Sequence, residues 1–208
     1  MTIHWALFVP GVLLLLFPAD RLLSSRVELR SFDCFQSLEN SPRFRPWWWV
    51  PILWLDPLRG LAGPLLVRRA LALGSEHWGD VSKPAYALLV ALLSLAVVVQ
   101  MFTRRGDRGV LLAPLGFVAG IVGALTPWPV AAIAIATSLL GLFALRQFHA
   151  YFAFGIGAVG LLGVVLDTHL MWIIPAAAAF ALPIIAGIVT GSTLELPTRN
   201  ASRAPQST

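Results

Sequence analysis

Long runs of apolar residues, separated by short polar loops, dominate this chain of 208 residues. A helix needs about 20 mainly apolar residues to cross the hydrocarbon core of a bilayer. The pattern therefore predicts an all-α fold, a polytopic bundle of transmembrane helices that forms one domain over residues 1–190. About seven spans are expected, at residues 3–18, 47–67, 84–102, 109–125, 130–145, 150–166 and 170–190.

Two polar segments lie between and after these spans. Residues 19–45 mix arginines with acidic residues, and apolar side chains recur at roughly helical spacing from Leu22 to Leu38. This spacing predicts an amphipathic helix on the membrane surface, with a partly ordered loop as the alternative. Residues 191–208 are mostly polar, and we expect them to form a disordered cytoplasmic tail.

The distribution of arginine predicts the orientation of the bundle. Eleven arginines lie in the segments 19–45, 103–108 and 146–149 and in the C-terminal tail, whereas the loops on the other side hold only three basic residues. Because Lys and Arg are enriched in cytoplasmic loops, the N-terminus is expected outside and the C-terminus inside. The strong preference for Arg over Lys favours the cytoplasmic (inner) membrane of a bacterial-type cell.

Composition supports this class and limits the partners. Only 12% of the residues are charged and 58% are hydrophobic, whereas a soluble domain has about 25% charged and about 45–50% apolar residues. The net charge of +5 does not indicate a nucleic-acid partner, because the basic residues lie in short runs between apolar segments. The expected partners are the lipid bilayer and a membrane protein or a second copy of the chain. We expect no cofactor.

The second span, residues 47–67, is unusual because Asp56 and Arg59 lie near its middle and prolines interrupt it. If this segment is re-entrant, the number of spans falls to about six. An unpaired charge at that depth costs about 3 kcal/mol. Asp56 and Arg59 are therefore expected to face the protein interior or water.

Two arrangements of Asp56 and Arg59 are compatible with the sequence. In the first, Asp56 caps a half-helix that begins at Pro57, which gives a broken helix able to bind an anion or a small solute. In the second, the helix continues through Pro57 and Asp56 pairs with Arg59 one turn later. The first arrangement favours a transporter. In the second arrangement, the two charges can simply form a structural ion pair that fixes the fold, without binding a ligand.

A second group of polar residues falls on the predicted outer side. His77, Asp80, Asp167 and His169 lie in loops that the topology places on this side. Histidine and carboxylate ligands suit zinc or copper, so these residues are a candidate metal site. The alternative is that polar loop residues simply collect at a membrane surface.

No catalytic sequence motif accompanies these residues. The sequence therefore favours a membrane protein that is not an enzyme and serves as an accessory, assembly or binding subunit. The first alternative is a small-solute or anion transporter with a broken-helix site at Asp56 and Arg59. The second is an intramembrane lipid-modifying enzyme that uses the outer histidines and acids.

Overall fold

The computed structural model describes residues 3–18, 27–30, 52–72, 82–102, 110–166 and 169–199. This part of the chain contains seven helices and three short strands. The helices are α1 (Trp5–Leu16), α2 (Ile52–Ala70), α3 (Lys83–Met101), α4 (Leu115–Leu125), α5 (Trp128–Leu145), α6 (Phe148–Val165) and α7 (Leu170–Thr190). The strands are β1 (Val27–Arg30), β2 (Val110–Leu112) and β3 (Thr193–Arg199).

Among the described residues, four helices are long and apolar enough to cross a membrane, fewer than the spans predicted: α3, α5, α6 and α7. Helices α1 and α4 contain 12 and 11 residues, so each is about 17–18 Å long, against about 30 Å for the hydrocarbon core. Helix α2 has 19 residues but carries four charged side chains. The four long helices support an integral membrane protein.

The predicted span at 109–125 begins later than expected. Residues Val110–Leu112 form β2, and α4 starts at Leu115. The reason is Pro114, because a proline ring clashes with the residue before it and disfavours the helical conformation there. Pro114 is the N-cap of the helix, which begins at the next residue.

The three strands form one small sheet in the order β1-β3-β2. Strand β1 pairs antiparallel with the second half of β3, and β2 pairs parallel with the first half. Pro197 lies in the second half, opposite Leu29. Its missing N–H is tolerated because that half of β3 has a strand partner on one side only in the described part of the chain.

This sheet differs from the expectations for two polar segments. Residues 193–199 form a strand, where we expected a disordered tail, because the tail finds partners that are distant in the sequence. In the segment 19–45, only residues 27–30 are described, and they are extended rather than helical. The rest of the expected amphipathic helix lies outside the described residues.

Helix α1 packs antiparallel against α2. The backbone N–H of His4, just before α1, donates to the carbonyl of Ala70 at the end of α2, at 3.0 Å. Gly11 packs against Val67, and a Cβ at Gly11 would crowd that side chain. The C-terminal end of α1 consequently lies near the middle of α2.

Helices α2 and α4 cross with their backbones in contact. A Cβ on Gly60 would overlap the carbonyl of Phe117, and one on Gly120 would overlap the carbonyl of Pro57. Small residues such as Gly60 and Gly120 let two helix backbones approach this closely. Around this unit, α7 packs against α3, α4 and α6, and α5 packs mainly against α6.

One end of the bundle gathers aromatic side chains from the first turns of several helices. Helices α3 and α7 start side by side there, since Tyr86 Oη donates to the carbonyl of Met171 at 2.8 Å. These aromatic residues lie where their helices begin, and they are Trp5, Tyr86, Trp128 and Trp172. We call this end of the bundle the aromatic end. Tryptophan and tyrosine concentrate where a membrane meets water. The sheet lies at the opposite end, after α3 and α7 finish.

Candidate functional site

The two predicted ligand-binding residues, Asp56 and Arg59, lie on a helix that is continuous from Ile52 to Ala70. Arg59 Nη1 donates to Asp56 Oδ1 at 2.9 Å, and only 8% and 14% of the two side chains are exposed. The interpretation of two half-helices that meet at Asp56 is therefore wrong. The alternative, an ion pair one turn apart on a continuous helix, is confirmed.

Arg59 also reaches across to the end of α1. Its Nε donates to the carbonyl of Leu14 at 3.3 Å, and its Nη2 donates to the carbonyl of Phe17. The last carbonyls of a helix have no partner within the helix, and they carry partial negative charge. The guanidinium thus neutralises Asp56 and caps α1 at the same time.

Gln100 on α3 completes this cap. Its Nε2 donates to the carbonyls of Leu15, at 3.0 Å, and Phe17, at 2.9 Å. Only 1% of Gln100 is exposed. The sequence signal was a polar residue near the end of an otherwise apolar span, but its partner on α1 could not be read from the sequence.

Two aromatic rings flank the guanidinium of Arg59. The centroids of the Phe17 and Phe117 rings each lie 5.8 Å from its Cζ atom. Rings at this distance attract a cation through their negative faces, and the attraction grows when water is excluded. The two rings therefore lower the free-energy cost of burying the Arg59 guanidinium.

An open groove of about 550 Å³ lies beside this cluster, between α1 and α2. This volume falls within the range of small-molecule sites, about 300–1,000 Å³. Apolar atoms make up nearly all of its wall, and its lining residues are Pro10, Leu13, Leu14, Phe17, Leu55 and Arg59. A hydrocarbon chain matches this wall better than a hydrophilic solute does.

A second arginine of α2 makes a related contact that sequence reasoning missed. Arg68 Nη1 donates to the carbonyl of Ala124, in the last turn of α4, at 2.8 Å. Its Cζ atom lies 3.9 Å from the centroid of the Trp172 ring. In the sequence Arg68 counted only as a loop charge, because its acceptor belongs to a distant helix.

Of the four predicted metal ligands, only His169 lies in the part of the chain that the structure describes. It is exposed and directly precedes α7. His77, Asp80 and Asp167 lie outside the described residues. Within those residues, no group of three or more His, Cys, Asp or Glu side chains could hold a metal ion. The metal site, and the lipid-modifying activity that would use the same residues, stay predictions.

The fold and the capped ion pair define a class of protein: a membrane-embedded helical bundle in which a charged helix fastens two short helices. Comparisons with protein-family models, curated proteins and solved structures gave no match.

Proposed function

We propose that this chain is an accessory subunit of the cytoplasmic membrane of a bacterial-type cell, and that α2 binds a transmembrane helix of a partner. The observation that carries the proposal is the engagement of Arg59. Its Nε, Nη1 and Nη2 atoms each donate a hydrogen bond within the protein. A cation used in this way stabilises a scaffold, and it is poorly placed to bind and release a solute.

The sheet supports the proposed orientation, N-terminus out and C-terminus in. Strands β1 and β3 belong to the long arginine-rich loop and the C-terminal tail, and β2 follows the arginine-rich loop after α3. Segments that pair in one sheet lie on the same side of a membrane. By the preference of arginine for cytoplasmic loops, that side is the cytoplasm.

The outward face of α2 supports binding of a helix. Trp54, Leu58, Leu61 and Leu65 are all exposed, and they follow one another at steps of four, three and four residues. This spacing places them along one stripe, the arrangement by which one helix packs lengthwise on another. A transmembrane helix of a partner would cover this stripe, and a second copy of the chain is the other possible source of that helix.

Site-specific photo-crosslinking in native membranes tests the proposal. A photoreactive residue replaces Leu58 on the stripe, and the matched control replaces Leu161 on α6. The two leucines are similarly exposed, at 61% and 67%. We expect a discrete protein adduct from position 58 and none from position 161.

Each outcome of this experiment has a definite meaning. An adduct of twice the mass of the chain identifies a second copy as the partner. Equal, purely lipid labelling at both positions would rule out a helix partner on α2.

A second candidate function, transport, is favoured by one observation. The groove between α1 and α2 reaches Arg59, so a small anion could approach the ion pair. The variant Leu13→Trp narrows this groove at an exposed position. If the protein transports, this variant reduces the efflux of chloride or phosphate from proteoliposomes, whereas Leu161→Trp on α6 does not. Equal efflux from protein-free vesicles and wild-type proteoliposomes would exclude transport of both ions.

A further inference from the structure

Arg68 is held in a fixed position at the aromatic end of the bundle. Its guanidinium lies over the ring of Trp172, and Nη1 is bonded to the carbonyl of Ala124. Trp172 is itself packed edge to face against Tyr86, with 6.4 Å between ring centroids. Four helices therefore contribute to the position of this one side chain.

This fixed guanidinium keeps hydrogen-bonding capacity. An arginine has five N–H donors, and the bond to Ala124 uses one of them. Stacking on Trp172 engages the face of the guanidinium, while the donors lie along its edge. Arg68 is half-buried and retains contact with the surroundings of the protein.

Among the residues that the structure describes, the charges and dipoles near Arg68 favour an anion. Arg69 is the next residue and is exposed. Residues one apart on a helix do not face each other, so Arg69 adds positive potential rather than a shared contact. Trp172 belongs to the first turn of α7, where the helix dipole is positive. The carboxylate of Asp56, on the same helix as Arg68, is paired with Arg59 near the middle of α2.

We infer that Arg68 binds a phosphate group at the aromatic end of the bundle, with Arg69 strengthening the attraction. Phosphate suits the planar guanidinium, which can offer two parallel N–H groups to two oxygens. The aromatic residues mark the level at which lipid headgroups lie. The phosphate can therefore come from an anionic phospholipid or from free phosphate in solution. The inference needs membrane embedding but not a protein partner.

The test measures lipid binding to the full chain, purified in a neutral detergent, by native mass spectrometry. Phosphatidylglycerol is titrated against the wild type and against Arg68→Gln, Arg68→Lys and Arg69→Gln. Loss of a charge-assisted hydrogen bond predicts roughly tenfold weaker binding for Arg68→Gln. Arg68→Lys loses the planar fork and is expected to fall between that variant and the wild type. Arg69→Gln removes a charge that acts on the phosphate at a distance through a water-like medium, and it is expected to weaken binding about twofold to threefold.

Arg146→Gln is the matched control, because it removes one exposed positive charge at the opposite end of the bundle. It should leave binding unchanged. Inorganic phosphate then separates the two sources: if it displaces the lipid at millimolar concentration, free phosphate is also a ligand, and if it does not, the site is specific for lipid. If Arg68→Gln fails to fold, the binding of phosphatidylglycerol to Arg68→Lys and Arg69→Gln tests the inference in its place. Unchanged binding of both phosphatidylglycerol and phosphate in folded Arg68 variants, or an equal loss in Arg146→Gln, would overturn the inference.

Discussion

Arg59 and Arg68 lie on the same helix, and each donates to a carbonyl at the C-terminal end of a short helix. Arg59 caps α1, and Arg68 caps α4. Their surroundings differ. Arg59 is buried near the middle of α2 and is paired with Asp56, whereas Arg68 is half-buried near the end of α2 and stacks on Trp172.

The difference shows that the kind of partner a buried charge needs depends on how far it lies from water. Removing a cation from water costs several kcal/mol, and a nearby carboxylate offsets much of this cost. At the helix end, where water or headgroups are close, an aromatic face is sufficient. Pairing with the Asp56 carboxylate makes Arg59 a structural residue. Arg68 has no carboxylate among its described contacts, so it can attract an anion.

The largest expected effect comes from Arg59→Gln. This change leaves Asp56 as a buried charge without its partner and removes two donors from the end of α1. Breaking a buried pair costs about 3–5 kcal/mol. We expect a loss of this size in the free energy of unfolding, measured by titration with a denaturing detergent.

A double variant, Asp56→Leu with Arg59→Met, shows which partner of Arg59 matters more. It removes both charges but still leaves the carbonyls of α1 with fewer donors. Recovery of wild-type stability would mean that Arg59 serves only to neutralise Asp56. The cap on α1 would then contribute no stability, and Arg59 would not be comparable with Arg68 as a helix cap.

A smaller effect is expected from Gly60→Ala, which disturbs the contact of α2 with α4. The added Cβ would overlap the carbonyl of Phe117, and overpacking of this kind costs about 1–3 kcal/mol. Both arginines should respond, because the Phe117 ring flanks Arg59 and the acceptor of Arg68 lies on α4. The measurement is the midpoint of thermal unfolding in detergent.

Gly157→Ala is the control for this change. Gly157 lies on α6 with open space where a Cβ would be placed, so the same substitution should leave the midpoint unchanged or raise it. Equal destabilisation by the two alanines would mean that helix α2 does not depend on close contact with α4.

The smallest effect is expected from Arg68→Gln. It loses a cation–aromatic contact and one bond to a carbonyl, together worth about 1 kcal/mol at a half-exposed position. The same denaturing titration compares it with Arg59→Gln. A loss as large as that of Arg59→Gln would show that depth does not distinguish the two arginines.

Local spacing was sufficient to offer the ion pair as one of two arrangements, because Asp56 and Arg59 are separated by one helical turn, but it did not exclude the broken helix. It was also sufficient for α7, whose observed bounds are the predicted ones. In these cases the information lies within a single helix. The apolar composition likewise indicated a membrane protein before any contact was known.

Contacts between distant segments were not predictable in the same way. The donors to the end of α1 come from Arg59 and Gln100, and the two residues lie on different helices. Strand β3 forms because β1 and β2 supply partners, although its sequence taken alone looks like a polar tail. Periodicity describes one segment at a time, so it cannot show which other segment will supply a hydrogen bond.

The small sheet ties folding to the order of synthesis. Strand β1 is made early and β2 later, yet they do not pair with each other, since both pair with β3. At ordinary translation rates β3 is synthesised roughly ten to thirty seconds after β1. The sheet therefore closes only after the seven helices of the described residues have been synthesised. A chain that ends before β3 lacks the strand with which both β1 and β2 pair, and strand edges without a partner are prone to aggregation.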